Sequence, residues 1–213
     1  MRRCFARNRF ALHALFTRNL WKKTALASLL AIGAQSGYYA VFTWLPTYLH
    51  TQRHLPPVSA GAFLYFVIAG AFAGYVSAGY INDAIGRRKT FALFAVCSAI
   101  LVPVYLRVVT ADWQLYIAGP LLGYFASGIF SGFGAFLSEL FPANVRGTAQ
   151  GFCYNLGRGI AGFAPALIGA LSAHGNIGVA MTIVAMCAYG IVLLAAAALP
   201  DTRELQQALA PIG

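Results

Sequence analysis

The chain has 213 residues, of which 60% are hydrophobic and only 9% are charged, whereas a soluble domain carries about 25% charged residues. With a mean hydropathy of +0.70, this composition excludes an ordinary soluble globular protein, because apolar side chains must cover much of its surface. The net charge of +10 does not indicate nucleic-acid binding, since the basic residues form no continuous face with interleaved aromatic residues. The composition predicts a protein in a lipid bilayer.

The N-terminal segment, residues 1–23, is basic, and its apolar residues recur at a helical spacing. An amphipathic helix on the inner membrane surface and a disordered basic linker both fit this pattern. A mitochondrial transit peptide also stays open, because the first acidic residue is Asp83. A cleaved secretory signal does not fit, since the following apolar run continues to Leu49 and is too long.

Six apolar runs are each long enough to cross a hydrocarbon core of roughly 30 Å as a helix. They occupy residues 24–49, 59–81, 90–109, 113–140, 148–171 and 178–199. The runs lack the period-two alternation of a membrane β-barrel, so we predict an all-α integral membrane protein. Residues 24–199 then form one six-helix transmembrane domain, and residues 200–213 form a cytoplasmic tail.

The distribution of basic residues predicts the orientation of the chain. Placing the N-terminus in the cytoplasm puts twelve Lys and Arg residues on that side and only Arg53 and Arg107 on the other. Such an excess is typical of cytoplasmic loops. We therefore expect both termini to face the cytoplasm.

The fourth span is rich in glycine. Its glycines are Gly119, Gly123, Gly128, Gly132 and Gly134. Small residues let the backbones of membrane helices approach closely. The pattern predicts a helix that packs tightly against a neighbour.

Patterns for catalysis and metal binding are absent from the sequence. Ser127 and Ser131 lie in a glycine-rich context, but a nucleophilic serine needs a nearby base, and all four histidines lie in the N-terminal segment or near span ends. No clustered metal ligands occur, and no channel filter lies between the spans. We expect no enzyme activity, no metal and no cofactor.

The turn between the second and third spans reads GYINDAIGRRK, from Gly79 to Lys89. Asp83 at a helix end can accept hydrogen bonds from a neighbouring helix N-terminus, and Gly79 permits close packing. This pattern resembles the cytoplasmic loop motif of the major facilitator superfamily of secondary transporters. In that family, the motif recurs in each six-helix half.

A second stretch, ELFPANVRG from Glu139 to Gly147, resembles the E-x-x-P-x-x-x-R-G signature of the same superfamily. Asn144 stands where relatives commonly carry a basic residue. The tail LPDTR, residues 199–203, is similar to the P-E-T-[KR] end of many such porters. The resemblance implies a cytoplasmic gate formed by Gly79, Asp83, Gly86, Arg87, Arg88, Glu139 and Arg146.

Two more stretches, residues 35–49 and 151–158, resemble the seventh and eleventh helices of the superfamily. The combination is similar to organic-acid proton symporters such as sialate and lactate porters. The resemblance covers residues 20–204 and implies a C-terminal six-helix half, with proton-coupled uptake of a small organic anion through a bacterial inner membrane. Substrates of such transporters bind between two halves, so we expect a second six-helix half as partner. The alternative is an inactive fragment or an assembly partner without transport activity.

Polar residues on two helical faces are candidates for the substrate site. Arg158 lies about 16 Å along a helix from Gly147, near the bilayer midplane, where an unpaired arginine costs several kcal/mol. Its planar fork suits a substrate carboxylate, and the alternative is an internal ion pair. The predicted substrate-binding residues are Arg158, Asn155, Gln35, Tyr38 and Tyr39. For the last three, packing between helices is the alternative.

Overall fold

The computed structural model describes residues 12–173 and 175–200, and the regular structure within them is entirely helical. The all-α prediction is therefore confirmed. The helices are α1 (Trp21–Phe42), α2 (Leu45–Thr51), α3 (Pro57–Ile85), α4 (Arg87–Pro103), α5 (Asp112–Gly128), α6 (Phe133–Leu140), α7 (Arg146–Ala161), α8 (Ala164–Ser172) and α9 (Ile177–Ala198). A π-helical turn, Val104–Val108, extends α4, and a 3₁₀ turn, Ile129–Gly132, joins α5 to α6.

Within residues 12–173 and 175–200, five helical stretches are long and apolar enough to cross a membrane. They are Trp21–Thr51, Gly61–Ile85, Arg87–Val108, Asp112–Leu140 and Ile177–Ala198. Large apolar side chains such as Phe72 and Leu194 are 71% and 74% exposed, as a lipid-facing surface requires. The fifth predicted span, residues 148–171, is divided between α7 and α8, so a sixth crossing stays a prediction.

The first and fifth spans are each interrupted just before a proline. Pro46 lies in the first turn of α2, and Pro165 lies in the first turn of α8. Proline lacks an N–H and disrupts the preceding helical turn, but it fits well at a helix start. The indole Nε1 of Trp44 donates a hydrogen bond to the carbonyl oxygen of Pro165 at 3.0 Å, so the two interruptions lie side by side.

Helices α3 and α5 pack backbone against backbone. A Cβ added to Gly123 would overlap the carbonyl of Val67, and one added to Gly70 would overlap the carbonyl of Pro120. We call this contact the glycine seam, and its members are Gly70, Gly74, Gly123 and Gly128. The seam confirms the close packing predicted for the fourth span, whereas Gly134 faces open space.

Helix α1 is held between α9 and α7, also through glycine. A Cβ added to Gly33 would lie 2.7 Å from the carbonyl oxygen of Ala188 on α9. A Cβ added to Gly157 of α7 would lie 2.6 Å from the Cβ of Ala31. These close approaches fix the position of α1, which carries Gln35, Tyr38 and Tyr39.

Candidate functional site

A cavity of about 150 Å³ lies between α1, α3, the 3₁₀ turn and α7. Its lining residues are Gln35, Tyr38, Tyr39, Tyr75, Phe130, Tyr154 and Arg158. The structure thus brings together four of the five residues predicted to bind substrate. The sequence analysis missed the three remaining lining residues, Tyr75, Phe130 and Tyr154. Tyr154 lies one helical turn before Arg158, so the same spacing rule points to it, whereas no local pattern marks Tyr75 or Phe130.

Gln35 joins the two helices that carry most of the lining. Its side chain is buried, and its Nε2 donates a hydrogen bond to the backbone carbonyl oxygen of Tyr154 at 2.9 Å. The absence of a side chain at Gly157 permits this approach, because a Cβ there would lie 3.0 Å from Nε2 of Gln35. Gln35 therefore fixes the register between α1 and the turn of α7 that carries Arg158.

Aromatic rings form one wall of the cavity. Tyr38 stacks on Phe42 with ring centroids 4.3 Å apart and planes 18° apart, and it meets Phe130 edge to face at 5.5 Å. Phe133 then contacts both Phe130, at 5.9 Å, and Tyr154, at 6.0 Å. Rings held in offset-stacked and edge-to-face contact stabilise one another, so the wall is a continuous cluster.

Among the described residues that line the cavity, Arg158 alone carries a formal charge. It takes part in no salt bridge within residues 12–173 and 175–200. The three carboxylates described there lie at helix ends, Asp83 and Glu139 next to Arg87 and Asp112 next to Arg53. Arg158 therefore has no carboxylate partner for an internal ion pair in the described part of the chain. A guanidinium beside aromatic rings is suited to hold a carboxylate by two parallel hydrogen bonds.

Asn155 lies elsewhere than its neighbours on α7. Its side chain is exposed, and its Nδ2 donates a hydrogen bond to the carbonyl oxygen of Gly151 on the same helix at 2.8 Å. It is not among the residues that line the cavity. A role for Asn155 in substrate binding stays a prediction.

An ion-pair cluster lies at the predicted cytoplasmic ends of α3, α4 and α6. Arg87 Nη1 lies 2.6 Å from Glu139 Oε1, and both side chains are largely shielded, at 18% and 13% exposure. Arg87 Nη2 lies 3.9 Å from Asp83 Oδ1, and that carboxylate is 78% exposed. The strong contact is therefore the Arg87–Glu139 pair, since exposed ion pairs contribute little.

The remaining basic residues of the predicted gate lie outside this cluster. Arg88 Nη2 donates a hydrogen bond to the carbonyl oxygen of Ala197 at the end of α9, at 2.6 Å. Arg146 is exposed at the start of α7 and forms no salt bridge within the described residues. Successive residues of a helix point about 100° apart, which directs Arg88 away from Glu139.

The two glycines of the loop motif have different roles. Gly86 separates α3 from α4 with φ of 92°, a conformation that only glycine adopts without strain. The expectation of close packing at Gly79 is wrong, because a Cβ there would meet only Ser131 Oγ, at 3.7 Å. The motif needs Gly86 for its turn, while Gly79 has room for a methyl group.

At the opposite end, side chains from α2 and the residues after it hold the π-helical turn. The hydroxyl of Tyr48 donates a hydrogen bond to the carbonyl oxygen of Leu106 at 2.6 Å. Arg53 donates to the carbonyl oxygens of Val109, at 2.7 Å, and Thr110, at 2.5 Å. A π-turn disturbs the regular hydrogen bonding of a helix, and these contacts satisfy carbonyl groups in and just after it. No pattern in the sequence predicts this arrangement.

Comparison with known proteins identifies the family. The model of the Major Facilitator Superfamily matches residues 63–212. The chain belongs to the major facilitator superfamily. It is 37% identical over 92% of its length to a probable 4-methylmuconolactone transporter of Cupriavidus pinatubonensis, of which it covers 46%.

Two further relatives are transporters from Acinetobacter baylyi. The chain is 35% identical, over 70% of its length, to a cis,cis-muconate transport protein, of which it covers 36%. It is 28% identical, over 66% of its length, to the niacin transporter NiaP, of which it covers 33%. The chain therefore spans less than half the length of these relatives. The predicted resemblance to organic-acid transporters of this superfamily is confirmed.

Proposed function

We propose that this chain binds a small organic anion in the cavity between α1, α3 and α7, and that it does so as one half of a transporter that works by alternating access. The observation that carries this proposal is an arginine that has no ion-pair partner among the described residues and that lines a cavity together with aromatic rings. The relatives named for muconate and niacin transport support an acidic substrate.

The lining favours a planar acid. The carboxylate would bind the guanidinium fork of Arg158, while Tyr38, Tyr75 and Tyr154 would lie against a flat, unsaturated or aromatic body. The tyrosine hydroxyl groups of the lining can add hydrogen bonds to a polar substrate that a purely apolar molecule leaves unmade. Charge and shape together would select flat carboxylates over neutral or bulky molecules.

Proton coupling would require a group outside the spans of this chain. Its five acidic residues are Asp83, Asp112, Glu139, Asp201 and Glu204. The first three lie at helix ends and the last two follow α9. A carboxylate that binds a proton near the midplane would therefore come from a second six-helix half. With the basic residues on the cytoplasmic side, both termini would lie in the cytoplasm of a bacterial cell.

The proposal is tested by replacing the matched part of the Cupriavidus pinatubonensis relative with this chain and measuring uptake of labelled nicotinate and cis,cis-muconate into cells. We expect uptake of at least one of them, abolished by Arg158→Ala and strongly reduced by Arg158→Lys, which keeps the charge but loses the fork. Arg107→Ala is the matched control, since Arg107 is exposed and lies in the π-helical turn outside the cavity.

Normal uptake by the Arg158→Ala chimera would contradict the proposal. The alternative function is an assembly partner or fragment without transport activity. It predicts that the chimera is inserted in the membrane but takes up neither acid.

A further inference from the structure

Asn82 is a buried polar residue that takes no part in the ion-pair cluster. It lies in the last turn of α3, one residue before Asp83, and its side chain is only 5% exposed. Its Oδ1 atom is buried and has no hydrogen-bond partner among the described residues. Leaving an acceptor buried and unpaired is costly, so this oxygen favours any rearrangement that brings it a donor.

The Asn82 amide faces the 3₁₀ turn of the fourth span. A Cβ added to Gly132, the last residue of that turn, would lie 3.0 Å from both Oδ1 and Nδ2 of Asn82. A short 3₁₀ stretch in the middle of a helix often marks a hinge. Here such a hinge would lie between the cavity and the ion pair. Phe130, within the turn, lines the cavity, and Glu139 lies on α6, the helix that follows the turn.

Conversion of this turn would move the helix after it. A 3₁₀-helix rotates about 120° and rises about 2.0 Å per residue, against about 100° and 1.5 Å for an α-helix. Conversion of the four residues Ile129–Gly132 to α-helix would rotate α6 by about 80° relative to α5 and shorten the distance between the two helices along their axis by about 2 Å. The contact of 2.6 Å between Arg87 and Glu139 does not survive such a rotation.

We propose that Asn82 is a positioning residue for transport that couples the cavity wall at Phe130 to the Arg87–Glu139 pair. Its unpaired amide oxygen destabilises the 3₁₀ turn and accepts a backbone N–H that is released when the 3₁₀ hydrogen bonds of that turn break on the way to the α-helix. The ion pair holds the described arrangement, and Asn82 favours its release. The link to transport rests on the function proposed above, whereas the motion itself does not depend on it.

The experiment uses the full chain in lipid nanodiscs and measures hydrogen exchange of the backbone amides of residues 129–133. Asn82→Leu keeps the size of the side chain but removes both polar groups. We expect exchange about tenfold slower than in the unsubstituted chain, because the drive to leave the 3₁₀ turn is gone. If the Asn82 amide only stabilised the turn, its loss would loosen the turn, and exchange in Asn82→Leu would be faster instead of slower.

A pair of glycine variants provides the second measurement if Asn82→Leu does not fold. Gly132→Ala places a methyl group against the Asn82 amide and should accelerate exchange in the turn. Gly134→Ala makes the same substitution two residues later, where nothing lies within 4 Å, and should leave exchange unchanged. Equal effects of the two variants would overturn the proposal.

A reporter on α6 tests whether the turn is coupled to the ion pair. Ser138→Cys, in a chain whose four native cysteines are replaced, is labelled with a maleimide, and labelling should slow together with exchange when Asn82→Leu is added. Unchanged or faster exchange in Asn82→Leu, or slower exchange with unchanged labelling, would contradict the coupling. No ligand is used, so these results test the motion of the turn independently of anion binding at Arg158.

Discussion

The glycine seam between α3 and α5 and the cavity between α1, α3 and α7 are built in opposite ways. In the seam, backbones touch because side chains are missing, so that a Cβ at Gly123 would overlap a carbonyl group. The cavity is lined by large rings and an arginine, and two of the spans that line it, the first and the fifth, are interrupted. The comparison predicts that the seam stabilises the chain, whereas the cavity serves the proposed anion binding. Substitutions in the seam should affect stability, and substitutions in the cavity should affect binding.

The largest expected effect is on the seam. Gly123→Ala should destabilise the chain by about 3 kcal/mol or more, because the added methyl group overlaps the carbonyl of Val67 and the two helices must separate. The measurement is the thermal unfolding midpoint of the purified chain in detergent. Gly134→Ala is the control, since its methyl group enters open space. Similar midpoints for the two variants would refute the seam.

An intermediate effect is expected at the Arg87–Glu139 pair, which joins α4 to α6. Glu139→Gln should cost about 2 kcal/mol, between the values for exposed and fully buried pairs, because it leaves a largely shielded guanidinium without its carboxylate. The double variant with Arg87→Gln should cost clearly less than the sum of the two single variants. Strict additivity in chemical unfolding experiments would exclude the contact.

A smaller effect is expected where the two interrupted spans meet. Trp44→Phe keeps an aromatic ring but removes the indole N–H that donates to the carbonyl oxygen of Pro165. Loss of one neutral hydrogen bond should lower stability by about 1 kcal/mol. The measurement is the unfolding midpoint of Trp44→Phe. The control is Trp113→Phe, the same substitution at an exposed position. A loss as large as that of Gly123→Ala would remove the contrast between seam and cavity.

The sequence predicted those features that depend on local patterns. Continuous apolar runs predicted the helices, and helical spacing placed Gln35, Tyr38, Tyr39 and Arg158 around one cavity. Tyr75 and Phe130 were missed because they reach the cavity from other spans, and tertiary packing alone determines that. The family resemblance placed Arg87 and Glu139 in one gate, but it did not show that Arg88 faces α9 or that Asn155 bonds to its own helix. A glycine in the sequence does not reveal whether a neighbour lies against it, so Gly79 and Gly123 were given the same interpretation.

The central claim is that the charge of Arg158, set in an aromatic wall, recognises an organic anion, and a pair of ligands tests it most directly. Nicotinate and nicotinamide share one ring and differ in charge, and their binding to the purified chain is measured by titration calorimetry. We expect nicotinate to bind more than about tenfold tighter, as a charge-assisted hydrogen bond implies. Arg158→Gln should abolish that preference, and Arg107→Gln should retain it. Equal affinity for the two ligands, or a preference for nicotinate that persists in Arg158→Gln, would contradict the account.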